Sequence, residues 1–503
     1  MKLKQSISII TMPFGFKSET FCPGADSIWQ KCTVSLDKGK LYPHIQKVLQ
    51  NPDECGSGYI IYSLSEKAAD IKNLIIRDMH LITTDNDGQE KVIQFRFGQA
   101  EESKKKNERF FSPKLLIHPA SKVGMLIISC SLGDCNYTMD DLQMLNYGIH
   151  KTYPIGSSEN KAIRIKQLNL NRQENSDCND NEKAKRIKKM QDLMKKIFGN
   201  EDAFNMKMFT EELMAEFKGE YERFDPYRLH VFTYLQTSDT DDKASLLNDF
   251  QRIIKIQNSN YKVSNCDKAS YEQTFENIYV GSATEGGAIM TLISEETENN
   301  WFLRDFYKDS LSQVYLWIYF MVQIHKYTLI SIEKSLTEYD FSSRNTSESR
   351  RKLTDLIANL TKNKVNSNFT FISSHTQHNK FYSLCCRNLD IERLSEGLHQ
   401  KISYLKEHLN ILINEEEVRL AKIENEISKR RENSMIVITV VGAVMALFSI
   451  GYDSFGLMDE EHFMLYNTTL TEPWIRNVRV VGVIIAVALL AWGITSIFLR
   501  RKK

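Results

Sequence analysis

The sequence lacks the patterns that identify most enzymes and secreted proteins. None of its nine cysteines forms a C-x-x-C pair, and their odd number predicts reduced thiols instead of a disulfide framework. The net charge is only +1, so we expect no direct binding of nucleic acid. No arrangement of Ser, His and Asp or of Cys and His supports nucleophilic catalysis. We therefore predict neither an enzyme nor a tightly bound cofactor.

The N-terminus has no long apolar core, but two long apolar runs occur near the C-terminus. The first residues, MKLKQSISIITMPFGFKSET, hold only a short interrupted apolar patch, which predicts a strand instead of a secretion signal. Residues 435–452 carry no charge, and a helix of that length spans roughly 27 Å. A second run covers residues 479–499. Both runs predict transmembrane helices, with the lipid bilayer as a partner of the chain.

Charged residues beside the two runs predict how the helices are oriented. Basic residues lie at 429–431 (KRR), before the first run, and at 500–503 (RRKK), after the second. The segment between the runs carries the acidic residues 459–461 (DEE). Because basic flanks stay on the cytoplasmic side, we expect a multi-pass protein of the inner (plasma) membrane with both termini in the cytoplasm.

A third apolar stretch, Leu311 to Ile330, has a different character. It carries Gln313, Gln323, His325 and Lys326, and each of these side chains is costly in lipid. The sequence therefore predicts a buried helix of the soluble part and not a membrane span.

The residues ahead of the first run mix strand and helix patterns and predict an α+β cytoplasmic domain. Apolar segments at 114–118 and 125–132 flank a Pro-Ala-Ser turn and predict a strand pair, whereas 210–224 predicts a helix. The predicted regions are 1–154, an N-terminal α/β domain; 155–190, a polar linker; 191–300, a second α/β region; 301–433, long helices and a stalk; and 434–503, two membrane helices with a short outer loop.

An apolar three-four repeat from Ile391 to Ile427 predicts the helical stalk. No proline or glycine interrupts the chain between Gly397 and the first apolar run, so we expect one unbroken helix. From Leu398 to Tyr452 such a helix measures roughly 80 Å. A narrow apolar stripe on so long a helix requires a partner, either in the same chain or in neighbouring subunits.

This layout of soluble domain, long helix, two spans and basic tail resembles the CorA-type divalent-cation channels. That family has Gly-Met-Asn at the outer end of its first membrane helix, where this chain reads FGLMD at 455–459. A leucine separates Gly456 from Met458, and Asp459 replaces the asparagine. The resemblance covers roughly residues 300–503 and implies a homopentameric funnel with Mg²⁺ as the transported ion. A carboxylate favours direct contact with cations, which weighs against magnesium selectivity.

The long N-terminal half and the altered motif are also similar to the CorA-like membrane effectors associated with type III CRISPR systems. In that group, a nucleotide messenger, in some cases a conjugate of S-adenosylmethionine and AMP, acts on the membrane protein. The resemblance implies a small-molecule nucleotide ligand bound by the cytoplasmic part. No motif in this chain identifies that ligand.

The resemblance places an ion mouth at the outer end of the first membrane helix. The predicted mouth residues are Asp453, Gly456, Met458, Asp459, Glu460 and Glu461. Helical spacing gives four candidates for the pore lining: Asn433, Thr439, Met445 and Ser449. Two alternatives stay open, namely that the acidic residues belong to a solvated loop and that the lining candidates pack against the second span.

A glycine-rich stretch, GSATEGGA at 281–288, is the weak candidate for the ligand site. Backbone N–H groups of Gly281, Gly286 and Gly287 are of the kind that cradles phosphate. No nucleotide-binding fingerprint surrounds them, so a strand and turn is the favoured interpretation. His375 and His378 lie three residues apart without a third ligand, so we predict two polar residues at the surface and no zinc site there.

Three hypotheses for the function follow. The first is a CorA-like channel opened by a nucleotide messenger in antiviral defence. The second is a divalent-cation transporter for magnesium or cobalt, and the third is a membrane-anchored scaffold that conducts no ions.

Overall fold

The structure is a computed structural model, and its two compact units are described separately. The first unit is Met1–Tyr404 and the second is Leu405–Lys503. The described residues are 2–17, 21–32, 40–50, 58–75, 79–84, 90–97, 113–132, 137–151, 164–166, 206–238, 242–257, 270–294, 301–303, 310–337, 346–367 and 369–456, with isolated residues in 188–197, 296–300 and 481–492.

The first unit is built around a long apolar strand, β1 (Leu3–Phe16), whose middle residues are buried on both faces. It pairs antiparallel with β7 (Val123–Leu132) on one side and with β10 (His230–Ser238) on the other. β10 in turn pairs parallel with β13 (Gly286–Ile293). Strands from the predicted regions 1–154 and 191–300 therefore lie in the same sheet.

The thirteen strands found among the described residues belong to one mixed sheet. Its main path runs β11-β12-β13-β10-β1-β7-β5-β4-β8, with β9 beside β1 and a branch β7-β6-β3-β2. The remaining strands are β2 (Trp29–Lys31), β3 (Ile60–Leu64), β4 (Met79–Thr84), β5 (Glu90–Arg96), β6 (Lys114–His118), β8 (Arg164–Lys166), β9 (Tyr221–Arg223), β11 (Tyr271–Phe275) and β12 (Ile278–Ser282).

The α-helices of the described residues belong to the first unit, except that the last of them continues into the second. They are α1 (Pro43–Gln50), α2 (Ala69–Ile75), α3 (Met139–His150), α4 (Met206–Leu213), α5 (Lys243–Ile254), α6 (Leu316–Thr337), α7 (Thr346–Ser367), α8 (Thr376–Asn388) and α9 (Ile391–Gly456).

Alternate residues of β10 show that helices cover both faces of the sheet. Leu235 joins a buried cluster with Leu246 and Phe250 of α5. Phe232 points the other way and packs against Tyr319 of α6 and Phe381 of α8, at ring-centroid distances of 4.8 and 6.0 Å. Because successive strand residues face opposite sides, the sheet lies between a layer that contains α5 and a layer formed by α6 and α8.

The predicted strand pair at 114–118 and 125–132 is confirmed as β6 and β7. The helix predicted over 210–224 is wrong beyond Leu213. α4 ends at Leu213, a short 3₁₀ turn follows over Ala215–Phe217, and β9 then pairs with the end of β1. Gly219, with φ +88°, reverses the chain there, and pairing with a central strand outweighs the local helical pattern.

The prediction of a buried helix over 311–330 is confirmed. A π-helical turn over Leu311–Tyr315 leads into α6, and the side chains of Gln323, His325 and Lys326 are all buried within the first unit. Gln323 accepts a hydrogen bond from Thr11 of β1 at 3.0 Å. α6 is therefore a central element of the fold, held partly by polar contacts. The predicted linker, 155–190, is described only at Lys188 and at β8, which pairs with β4.

α9 confirms the expectation of one unbroken helix. Its 66 residues correspond to roughly 99 Å of helix. In the second unit many large apolar side chains of α9 are exposed, among them Ile411, Val418, Ile423 and Ile427, whereas Leu405, Leu409 and Val444 are buried. Within the described part of the chain, no helix has both the length and the apolar character that crossing a membrane requires. Of the predicted second span, 479–499, the structure describes only isolated residues.

Candidate functional site

Two of the predicted mouth residues lie at the end of α9, and the others lie outside the described residues. Asp453 is in the last turn of the helix and Gly456 is its final residue. Met458, Asp459, Glu460 and Glu461 follow in the undescribed part of the chain.

The four predicted lining residues are all exposed on α9, but they do not share one face. At about 100° per residue, Asn433 and Thr439 each lie roughly 120° away from Met445, on opposite sides. Met445, Ser449 and Asp453 follow one another at intervals of four and therefore share a face. Thr439 satisfies its hydroxyl locally, by donating to the carbonyl oxygen of Met435 at 2.7 Å.

The shared face of α9 also carries two glycines of the helix. Gly442 and Gly456 are fourteen positions apart, two heptads, with Ser449 midway between them. A Cβ added to Gly442 would contact nothing within 4 Å in this chain, so the face is open at that point. We call the set Gly442, Met445, Ser449, Asp453 and Gly456 the small-residue face of α9.

The glycine-rich stretch forms the β12–β13 hairpin, as the favoured interpretation predicted. Gly281 lies in β12, and Gly286 and Gly287 lie in β13. A Cβ on Gly281 would stand 2.1 Å from Cδ1 of Ile254, and one on Gly286 would stand 2.4 Å from the Ile254 carbonyl oxygen. These glycines let the hairpin approach the end of α5 closely.

A charge cluster lies at the turn of this hairpin. The Glu285 carboxylate contacts Nε2 of His150 at 3.2 Å and Nη1 of Arg228 at 2.5 Å. His150 also contacts the carbonyl oxygen of Leu229 through Nδ1. The hydrogen bond with His150, together with Arg228, lowers the pKa of Glu285 to about 2.

A second pair of residues extends the cluster toward α6. Lys326 donates to the carbonyl oxygen of Thr284 at 3.2 Å, and the neighbouring Tyr327 hydroxyl contacts Nε2 of His230. Burial lowers the pKa of Lys326, against the opposing influence of Glu285 and Asp390. Burial, aided by the nearby Lys326 and His150, lowers the pKa of His230 to about 3.

The hairpin also touches the chain just before α9 begins. Asn388, the last residue of α8, donates to the carbonyl oxygen of Ser282 at 2.8 Å. Two residues later, Asp390 adopts the left-handed conformation with φ 57°, and α9 starts at the next residue. Four elements of the first unit, α3, α6, α8 and the segment before β10, therefore meet at one surface turn.

Only weak signals in the sequence pointed to this cluster. Glu285 is a lone acid between two apolar strands, and His150 and Arg228 are 78 residues apart in the chain. Nothing in their local patterns predicts that α3 ends beside the start of β10, as the pairing of Lys151 with Arg228 shows.

Metal ligands do not converge in the described part of the chain. No group of three or more His, Cys, Asp or Glu side chains there could hold a metal ion. Of the predicted histidine pair, His378 is buried and its Nδ1 lies 3.0 Å from the hydroxyl of Ser373, while His375 remains exposed. The prediction that both histidines lie at the surface is thus wrong for His378, because α8 turns that side chain toward Tyr315 in the core.

Comparison with known proteins gives no relative from which a role for these residues could be transferred. No family model matches the chain, and neither a curated protein nor a solved structure matches it.

Proposed function

We propose that the chain is a CorA-like membrane ion channel, gated by a ligand and assembled as a homopentamer. Its opening signal is a nucleotide second messenger, such as a conjugate of S-adenosylmethionine and AMP, bound by the cytoplasmic part in type III CRISPR defence. The observation that carries the proposal is α9, one continuous helix that begins in the first unit and includes the apolar run 435–452.

The small-residue face of α9 supports a role in lining a pore. In five parallel copies, glycine and serine at heptad spacing allow the helices to approach, and Met445 supplies an apolar constriction of the kind that gates by dewetting. Asp453 on the same face would be costly against lipid and is favourable beside water. The carboxylates at 459–461 then follow at the outer end, where they attract cations as cargo.

The remaining surface of α9 supports contact with lipid. Ile436 and Leu447 are exposed in the apolar run, roughly 180° and 160° around the helix from Met445, and charged residues are absent from the run. Basic residues at 429–431 precede the run and suit the cytoplasmic headgroups. In the stalk, the exposed apolar residues of the second unit supply the contacts with neighbouring subunits that the apolar three-four repeat requires.

The two other functions remain as alternatives with their own support. A magnesium or cobalt transporter needs only the ion mouth and the resemblance to CorA channels. A scaffold that conducts no ions needs only the apolar run and the stalk. Asp459 in place of asparagine favours the effector over the selective transporter, because direct binding by carboxylates suits a less selective mouth.

Reconstitution of the full chain in liposomes separates the three functions. Flux of cations that requires the messenger conjugate supports the proposal. Flux of magnesium or cobalt without any nucleotide supports the transporter instead. Absence of flux under both conditions, with the protein shown to be inserted and oligomeric, leaves the scaffold.

A further inference from the structure

The β12–β13 turn, residues 282–286, occupies an unusual position between the sheet and the start of α9. We call it the latch turn, and we call Leu389–Asp390 the hinge. We propose that the latch turn fastens the hinge, so that loss of its contacts loosens the first turns of α9. Its consequence for opening of the channel rests on the proposed function, whereas the hydrogen-exchange experiment that tests it does not.

The contacts of the latch turn come from separate elements and are mostly polar. Glu285 binds His150 and Arg228, the Thr284 carbonyl accepts from Lys326, and the Ser282 carbonyl accepts from Asn388. Inside the hairpin, Ala283 donates to the Gly286 carbonyl at 2.7 Å, which makes the turn tight. Because this hydrogen bond closes the turn, we expect a displacement of Glu285 to move Ser282 as well.

The hinge is the two-residue break between α8 and α9. The Leu389 amide still bonds to the Cys385 carbonyl at 2.9 Å, and the Leu394 amide bonds to the Asp390 carbonyl at 3.0 Å. Between them, Asp390 interrupts the helix in the left-handed conformation, which is unfavourable for a residue with a side chain. Asn388 is thus the last side chain of α8 that ties the hinge to the sheet.

The latch turn is open to outside influence, unlike the rest of its hairpin. Thr284 is exposed and Glu285 is partly exposed, whereas Gly281 and Gly287 on either side are buried. An anion that competes for Arg228, or any ligand that displaces Glu285, has direct access to the contact. Such release would free the first turns of α9, and under the proposed function it would favour the open channel.

Hydrogen exchange measured by mass spectrometry on the full chain in lipid nanodiscs tests the latch. Glu285→Gln keeps the size of the side chain and removes its charge. We expect amides of residues 391–398, at the start of α9, to exchange roughly tenfold faster, the factor that corresponds to ~1.4 kcal/mol. Glu276→Gln, in the neighbouring β11–β12 turn, is the matched control and should leave that segment unchanged.

Two further variants show whether a folding defect, and not loss of the latch, explains faster exchange in Glu285→Gln. Arg228→Gln removes one contact of Glu285 from a half-exposed side chain, and Asn388→Ala removes the bond to Ser282 directly. Both should accelerate exchange at 391–398 while strands β1 and β10 keep their protection. The proposal is overturned if these variants loosen the latch turn but leave 391–398 as slow as in the unchanged protein.

The same variants distinguish the latch from the channel. If the channel proposal is wrong, no variant conducts, yet the exchange result stands. If only the latch is wrong, messenger-dependent flux persists with an unchanged requirement for messenger in Glu285→Gln. If both are correct, Glu285→Gln lowers the messenger concentration needed for half-maximal flux.

Discussion

The side-chain amide of Asn388 donates a hydrogen bond to the carbonyl oxygen of Ser282 at 2.8 Å. One partner ends the helix that precedes α9, and the other begins the tight turn whose Glu285 is held by His150 and Arg228. The start of α9 is therefore connected to the central sheet through a partly buried polar contact. Such contacts are modest individually, so small changes in charge can shift them.

Close packing of the glycine-rich hairpin predicts a strong effect of Gly286→Ala. The new Cβ would lie 2.4 Å from the Ile254 carbonyl oxygen, so the backbone of α5 or β13 must move. We expect a loss of about 2–3 kcal/mol in the free energy of unfolding, by analogy with overpacked cores. Urea denaturation followed by fluorescence measures it.

Gly397→Ala is the matched control for that substitution. Gly397 lies in α9, and a Cβ there would contact nothing within 4 Å. Because alanine has the higher helix propensity, we expect a gain of about 0.5–1 kcal/mol. Equal losses in both variants would refute the packing argument.

Buried histidines predict that the first unit loses stability in mild acid. Burial lowers the pKa of His230 and of His378 to about 3, and that of His325 to about 4. The unfolded chain binds these protons near pH 6.5, so stability is complete above that value and falls as the pH drops toward 4. Each neutral histidine contributes a slope of up to ~1.4 kcal/mol per pH unit.

Denaturation curves at pH 7.5, 6.0 and 5.0 measure this slope, and His325→Gln should reduce it. The exposed His44 provides the control, because His44→Gln removes a histidine from the surface and not from the core. A slope that is unaffected by His325→Gln, or reduced equally by both substitutions, would contradict the assignment. Glu285 acts in the same direction only at lower pH, between about 4.5 and 2.

An apolar gate at Met445 predicts a leaking channel when that side chain is shortened. Met445→Ala widens the constriction on the small-residue face, so we expect flux without messenger at several times the basal rate. Leu447→Ala is the matched control, because Leu447 lies roughly 160° around the helix from Met445. Dye-loaded liposomes report both rates, and identical behaviour of the two variants would remove Met445 from the pore.

The sequence was most informative where one periodic pattern governed a whole element. The helix of 66 residues, the buried helix over 311–330 and the β6–β7 pair all followed from apolar spacing and turn residues. The failure at 210–224 arose because β9 gains a ladder with β1, which no local pattern encodes.

The candidate sites were less accessible from the sequence than the fold. Asn433 and Thr439 have suitable polarity but lie on other faces of α9 than Met445, and only helical geometry separates them. The Glu285 cluster depends on contacts between residues as far apart as 150 and 285. Long-range pairing of strands creates such sites, and a single sequence carries no direct record of it.

Cysteine accessibility at Ser449 tests the central claim most directly. The full chain with Ser449→Cys is reconstituted in planar bilayers and treated with a charged, membrane-impermeant thiol reagent, alongside Leu447→Cys and the unchanged protein. We expect the reagent to block current in Ser449→Cys alone, and to act faster when the messenger conjugate is present. Equal sensitivity of Ser449→Cys and Leu447→Cys, or no current in any of the three proteins with messenger, would contradict a messenger-gated pore lined by α9.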